Sequence, residues 1–406
     1  MRALLRLFAA RRSWWLLGGL ILAACAAEPR VEPPREPAPS FNLRPLAYEQ
    51  LIGWRADDPR GALRAFQRSC AKLDQSGPAT PIGPGPWFGE VGDWRPICAD
   101  AATVAEGSAD QVRDFFEDRF SPYLVVDGDN PEGLFTGYYE PLLFGSRRFG
   151  GAYTLPIYRP PADLVRVDLA RFNPDLAGYA IYGRVQGGQF VPYHSRADID
   201  TGALADRGLE LLWVDDPIDR FFLQIQGSGQ VQLDDGSLTR VGYASQNGHP
   251  YRAIGRDLIE IGVLTRDEVS LPAIKAWLEA HPDAAPDIMA RNRSYIFFEE
   301  RPELGPDDGP LGAQGVSLTA GRSLAVDRRY IPLGVPVWLE TTVPWPEGAG
   351  PLHRLMVAQD TGGAIKGVVR GDVFFGSGAR AEAAAGHMKS RGRYALLLPK
   401  ALIPVS

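Results

Sequence analysis

Apolar positions recur at helical spacing in two stretches, about 62–120 and 251–292, and in short strand-like runs between and after them. Residues 62–73 and 99–120 carry apolar side chains three and four apart, with Phe115, Phe116 and Phe120 on one stripe, which predicts amphipathic helices. From 134 the pattern shortens to strand-like runs at 134–139, 152–158, 189–194, 210–214, 220–226, 230–233 and 239–243, with Asp234-Asp-Gly236 as a hairpin signal between the last two. Helical spacing returns over 251–263, 265–281 and 284–292. Strand patterns follow at 295–298, 337–340, 353–359, 372–375 and 393–398. No internal repeat is present. A strand-rich zone between two mixed zones predicts a β domain, about 136–245, inserted into a discontinuous larger one formed by 41–135 and 246–406.

The first 25 residues follow a different pattern. A basic start with Arg2, Arg6, Arg11 and Arg12 leads into a short apolar run and then small residues, the layout of an export signal. The run from Trp14 to Ala24 is too short to span a bilayer comfortably. Leu22-Ala-Ala-Cys25 looks like a bacterial lipobox, with Cys25 the lipidated first residue of the mature protein. Ala26 follows, not Asp, which points to sorting to the outer membrane facing the periplasm of a Gram-negative bacterium. Residues 26–40 contain Pro29, Pro33, Pro34, Pro37 and Pro39 and predict an extended tether, reaching on the order of 40 Å at about 3.1 Å per residue.

Composition narrows the remainder. Gly 45 and Pro 35, with many aromatic and β-branched runs, favour a β-rich, loop-rich body. The formal charge is −6, and loss of the leader arginines makes the rest more acidic still. An acidic chain without zinc spacing or a phosphate loop is a poor nucleic-acid partner, and no metal or organic cofactor is implied. Cys70 and Cys98 remain as a pair, open either to a disulfide in an oxidising periplasm or to two buried thiols.

The stretch with the strongest chemical signal is Val357-Ala-Gln-Asp-Thr-Gly-Gly-Ala-Ile-Lys-Gly-Val-Val-Arg-Gly-Asp-Val-Phe-Phe-Gly376. Aspartate is depleted in strands. Here Asp360 and Asp372 sit on apolar strand-like segments around a glycine-rich turn. Carboxylates held close in a partly dry setting keep one proton near neutral pH, as a general acid requires. An aspartic-protease reading of Asp360-Thr-Gly362 lacks its second Asp-Thr-Gly, and no Gly-x-Ser-x-Gly elbow occurs.

Several long motifs then occur in order. They are Leu134-Phe-Thr-Gly-Tyr-Tyr-Glu-Pro141, Leu155-Pro-Ile-Tyr-Arg-Pro160, Phe222-Leu-Gln-Ile-Gln-Gly-Ser-Gly229, Tyr243-Ala-Ser-Gln-Asn-Gly-His-Pro-Tyr-Arg252, Asn292-Arg-Ser-Tyr-Ile-Phe-Phe298 and Gly321-Arg-Ser-Leu-Ala-Val-Asp-Arg-Arg-Tyr-Ile-Pro332. With these the chain resembles the membrane-bound lytic murein transglycosylase A family. Asp327, Asp360 and Asp372 match the three aspartates of its C-terminal 3D module, about 310–400 here. The resemblance implies a mainly β fold: a double-psi β-barrel with flanking helices, a smaller inserted β-barrel, and a groove between them for glycan strands. It implies cleavage of the β-1,4 bond between N-acetylmuramic acid and N-acetylglucosamine with formation of 1,6-anhydro ends, in cell-wall remodelling and turnover. It also implies Asp372 as the single acid.

Ordinary glycosidases need two carboxyls. When the muramyl 6-hydroxyl attacks its own anomeric carbon, one carboxyl suffices as acid and then base. Asp360 is then expected to tune the pKa of Asp372, and Asp327 to order the 328–332 turn. For the groove, Thr136, Tyr138, Tyr139 and Glu140 offer aromatic faces and hydrogen-bonding groups. Strand alternation is expected to turn one of the two tyrosines to the glycan. Gln226, Gly227, Ser228 and Gly229 are expected to bring backbone close to the glycan, and Asn247, His249, Tyr251, Asn292, Ser294 and Lys366 to add contacts. Glu140 is the other carboxylate able to serve as base. Two rivals stand beside this reading: a hydrolytic muramidase on the same scaffold, and a non-catalytic peptidoglycan-binding lipoprotein. Expected partners are peptidoglycan glycan strands, the outer membrane and complexes with peptidoglycan synthases or scaffolds.

Overall fold

A computed structural model describes residues 40–402 apart from 105–106, 177–178, 303 and 306–307. The leader, Cys25 and nearly all of the tether lie outside the described residues.

A closed barrel carries the aspartates. Its strands run in the order Lys389–Pro399, Pro336–Trp345, Gly348–Asp360, Ser323–Val326, Arg370–Ser377 and Gly133–Glu140, and the last pairs back onto the first. Closure removes the free edges an open sheet would present. The pairings of Ser323–Val326 with Gly348–Asp360 and of Arg370–Ser377 with Gly133–Glu140 are parallel; the other barrel ladders are antiparallel. Phe41–Pro45 and Phe120–Asp127 extend the sheet beside Lys389–Pro399. The double-psi barrel class expected from the resemblance therefore stands.

Through Pro141 the Gly133–Glu140 strand runs into Leu142–Ser146, the first strand of a second sheet of six. This sheet curls until its edge strands, Leu155–Tyr158 and Ile296–Glu300, approach each other. Its last strand thus comes from beyond the helices at Ile254–Glu260, Leu271–Ala280 and Ala285–Ala290, pairing antiparallel with Leu238–Gln246. A three-stranded sheet of Val165–Asp168, Ala180–Gln186 and Gln189–Pro192 completes the β structure among the described residues.

The largest core joins the barrel to the N-terminal helices. Arg60–Leu73 buries Ala62, Phe66 and Cys70 at helical spacing, and Phe66 packs on Trp94, Phe116 and Phe120. A Cys70–Cys98 disulfide ties this helix to Val91–Thr103.

Three local expectations are corrected. The 99–120 helix is two helices, Val91–Thr103 and Ala109–Arg119, and Phe120 already begins a strand. Ser108 caps the second by accepting from the Gln111 N–H, a boundary signal that the aromatic stripe obscured. Residues 220–226 are not a strand but the end of the helix Pro217–Gln226. Asp216 Oδ1 accepts from the N–H groups of Ile218 and Asp219, Pro217 opens the first turn, and Gly227 ends the helix at φ 82°. The 265–281 helix starts later, at Leu271, where Ser270 caps it.

Candidate active site

Register places the aspartates. Asp372 lies opposite Thr136 on one side and Ala325 on the other, while Asp360 lies opposite Ala325 from the far strand. The Asp360 pairing requires a bulge: Leu324 faces Ala358, yet Ala325 faces Asp360, so Gln359 is the extra residue. Gln359 turns inward, donates to Ala65 O (2.8 Å) and Ser69 Oγ (2.9 Å), and accepts from Ser323 Oγ (2.6 Å). Without the bulge, alternation would place Gln359 where Asp360 stands.

Asp372 Oδ1 accepts a hydrogen bond from Thr136 Oγ1 at 2.6 Å. Thr136 Oγ1 in turn accepts from Arg370 Nη2 at 2.7 Å. A guanidinium only donates, so the single Thr136 proton is directed at Asp372. Arg370 is buried and is also fixed by the carbonyls of Leu134 and Gly371. Among the described residues no partner is bonded to Asp372 Oδ2. Burial pushes the Asp372 carboxyl up to about 6; Arg370 and Thr136 pull it down, and the charge of Asp360 pushes it further up. Burial also raises Asp360, against hydrogen bonds from the Ala313 N–H (2.8 Å), Tyr138 Oη (2.8 Å) and Thr361 N–H (2.9 Å).

Asp327 behaves differently. Burial alone would raise it, but bonds from Arg329 and the Gly367 N–H (2.9 Å) outweigh that and hold it below the usual carboxylate range. It braces the 328–332 turn against the 361–367 loop.

Tyr138 and Tyr139 are both buried, at 9% and 3% exposure. Alternation does not expose one of them because both faces of their strand are covered. Tyr138 turns to Asp360, while Tyr139 donates to Glu382 Oε1 (2.8 Å) on the helix Ala379–His387. Gly137 permits that helix: a Cβ there would lie 2.5 Å from the Phe375 ring and 2.9 Å from Ala385 Cα. Glu140, expected at the groove or as a base, is instead 2% exposed and paired with Arg240 (2.6 and 3.1 Å), with Gln230 donating at 3.0 Å.

The remaining candidates divide by what their polar atoms touch. Asn247 is fully buried. Its Nδ2 donates to His194 O and Arg293 O, and its Oδ1 accepts from the Tyr295 and His249 N–H groups, which leaves no capacity for a ligand. His249 Nε2 bonds Tyr193 O at 2.8 Å. Gln226 Oε1 accepts from the Tyr139 N–H. Gly227 ends its helix, and Ser228 and Gly229 are buried where a Gly229 Cβ would lie 2.5 Å from Leu223. Asn292 Oδ1 accepts from the Arg252 and Ser294 N–H groups, and Ser294 is buried beside it; Asn292 Nδ2 is buried with no protein partner.

Tyr251 is 38% exposed, yet burial raises the pKa of its hydroxyl first and the charge of Asp372 adds to the rise. A Cβ on Gly363 would lie 3.6 Å from Tyr251 Cβ, so this side chain faces the 361–367 loop that carries exposed Lys366. The residue that sequence reasoning missed is Arg370. Its place beside Asp372 was visible in Arg-Gly-Asp, but its bond to Thr136 crosses 234 residues.

Known proteins resemble this chain over most of its length. A family model described as the MltA specific insert domain matches residues 134–299, and one described as the 3D domain matches 322–398. A protein of Vibrio cholerae named membrane-bound lytic murein transglycosylase A is 32% identical over 312 residues, covering 74% of this chain and 80% of that one. The crystal structure of a membrane-bound lytic murein transglycosylase from Agrobacterium tumefaciens matches with TM-score 0.78 at 34% identity, over 89% of this chain and 98% of that one. A crystal structure of Escherichia coli MltA with bound chitohexaose matches with TM-score 0.61 at 26% identity, over 88% and 92%. A buried acid on a closed barrel, in this company, defines an enzyme of the lytic transglycosylase class. The chain belongs to the membrane-bound lytic murein transglycosylase A family.

Proposed function

We propose that the protein cleaves the β-1,4 bond between N-acetylmuramic acid and N-acetylglucosamine in peptidoglycan and leaves 1,6-anhydromuramyl ends, with Asp372 as the one acid and base. Protonated Asp372 donates to the glycosidic oxygen. The C1–O bond breaks and its electron pair leaves with the N-acetylglucosamine O4. The muramyl 6-hydroxyl closes on C1, and its proton returns to Asp372. No water enters, and the carboxyl ends as it began. Attack within one sugar has a high effective molarity.

The observation that carries this reading is the state of the carboxylates. Asp372 has one oxygen held by Thr136, the other without a protein partner, and a proton retained up to about pH 6. Asp360, Asp327 and Glu140 have both oxygens taken by protein donors. Asp360 acts through its charge on Asp372; among the groove candidates Thr136 bonds Asp372 and Tyr251 feels its charge. Mass spectrometry of soluble products from purified peptidoglycan tests the reading. Products one water lighter than reducing muropeptides are expected; reducing ends would make water the nucleophile and overturn it.

The position of the enzyme is proposed on the leader. Cys25 is lipidated and holds the protein at the outer membrane, facing the periplasm. No helix among the described residues is long and apolar enough to cross a membrane. Labelled palmitate should enter the protein and be lost in Cys25→Ala; labelling that survives the substitution would refute the anchor.

A further inference from the structure

Near the acid lies a cavity of about 750 Å³ whose lining includes neither Asp372 nor Asp360. It begins at Leu134, which shares a strand face with Thr136, and at Tyr251, whose hydroxyl feels Asp372. Its wall is apolar, with Phe222 and Ile225 from the helix Pro217–Gln226, Ile259 from Ile254–Glu260 and Ile274 from Leu271–Ala280. Its rim is basic. Arg252 is neutralised by Asp257 and by Glu260, the one carboxylate on the lining. Arg256, Arg266 and Lys389 are exposed and have no ion-pair partner among the described residues. Lys389 is registered opposite Thr136 on the side away from Asp372, so this positive edge begins two strand spacings from the acid.

The glycan backbone has no charge to meet those cations once its lactyl groups are amide-linked. The anions of peptidoglycan lie on the peptide stems, whose small apolar side chains and free carboxylates suit an apolar wall with a basic rim. We propose that this cavity binds the peptide stem of the muramic acid undergoing cleavage, with Arg256, Arg266 and Lys389 facing the stem carboxylates. The stem leaves the sugar at its 3-O-lactyl group. A few residues at about 3.3–3.6 Å each reach from a ring at Asp372 into the cavity. The enzyme thereby selects peptide-bearing strands over bare ones. This inference rests on the proposed glycan cleavage at Asp372.

The test compares the full chain in detergent with the double variant Arg256→Gln, Arg266→Gln on two substrates. One is glycan strands bearing stems; the other is the same strands stripped by an amidase, with the freed lactyl carboxyls capped as methylamides. The double variant should lose about tenfold in kcat/KM on stem-bearing strands, through KM, at about 1.4 kcal/mol per tenfold. It should stay within about twofold of the parent on stripped strands. The parent's preference for stems should shrink in high salt, as exposed charges are screened. Charge reversal, Arg256→Glu, should deepen the loss on stem-bearing strands only. Equal losses on both substrates would make the cavity a glycan subsite, and no loss on either would make it idle; each overturns the proposal. The end group of the products is read separately, so reducing ends would refute the cleavage chemistry without touching the ratio between substrates.

Discussion

Asp360 and Asp372 face the same residue, Ala325, from the two strands that flank it. The two carboxyl-bearing strands are therefore two strand spacings apart, roughly 10 Å between backbones. At that distance they do not share a proton, and the charge of Asp360 adds to the rise in the Asp372 pKa. The aspartic-protease arrangement needs direct contact between carboxyls. This spacing supports one acid and one charged neighbour.

Asp372→Asn should lower kcat by roughly 10²–10⁴-fold, the usual worth of a general acid. With protonated Asp372 as the proposed acid, kcat/KM of the parent should fall about tenfold per pH unit above about 6. A pH profile of soluble-product release checks both.

The same substitution should stabilise the fold. Asp372 has a folded pKa above its ordinary value near 4, so its burial costs nothing below pH 4 and progressively more as pH rises through about 6. Above that, Asp372→Asn should gain on the order of 2–3 kcal/mol. Melting temperatures at pH 7.5 should differ, and those at pH 3.5 should converge.

Arg370→Met removes a cation that lowers the Asp372 pKa, and Thr136→Val removes a donor that does the same. Both should move the alkaline limb of the pH profile upward. Both should also cost roughly 10–100-fold in kcat by releasing the carboxyl from its position. A fall in rate with no movement of the limb would assign Arg370 a structural role only.

Glu140→Gln leaves Arg240 buried without its counter-charge and should destabilise the protein by roughly 3 kcal/mol, as broken buried pairs do. The rate per folded molecule should hold. Loss of rate in a protein that still melts normally would revive a two-carboxyl hydrolase.

Replacing Cys70 and Cys98 by serine opens a cross-link over 28 residues and should cost about 3–4 kcal/mol in the chain-entropy account. Thermal melts with and without reductant should show the parent moving toward the variant.

Much of the site was legible because its parts are local. The apolar runs around Asp360 and Asp372, the helix at 62–73 and the order of motifs depend on near neighbours and appear as spacing along the chain. The helix Pro217–Gln226 was misread through its aromatic run, although Asp216-Pro217 and Gly227 mark both of its ends. Burial of both Tyr138 and Tyr139 was illegible, because alternation describes one covered face and the closed barrel with its helix covers two. The same holds for Glu140, whose partner Arg240 is 100 residues away.

By itself the sequence determined many of the strands and helices and the apolar setting of Asp360 and Asp372, since periodicity and composition act over a few residues. Tertiary structure decided which carboxylate keeps its proton. The Gln359 bulge, the parallel pairing that sets Thr136 against Asp372 and the pairing of Glu140 with Arg240 all join distant parts of the chain. A carboxyl's pKa follows from the burial and charges those contacts create.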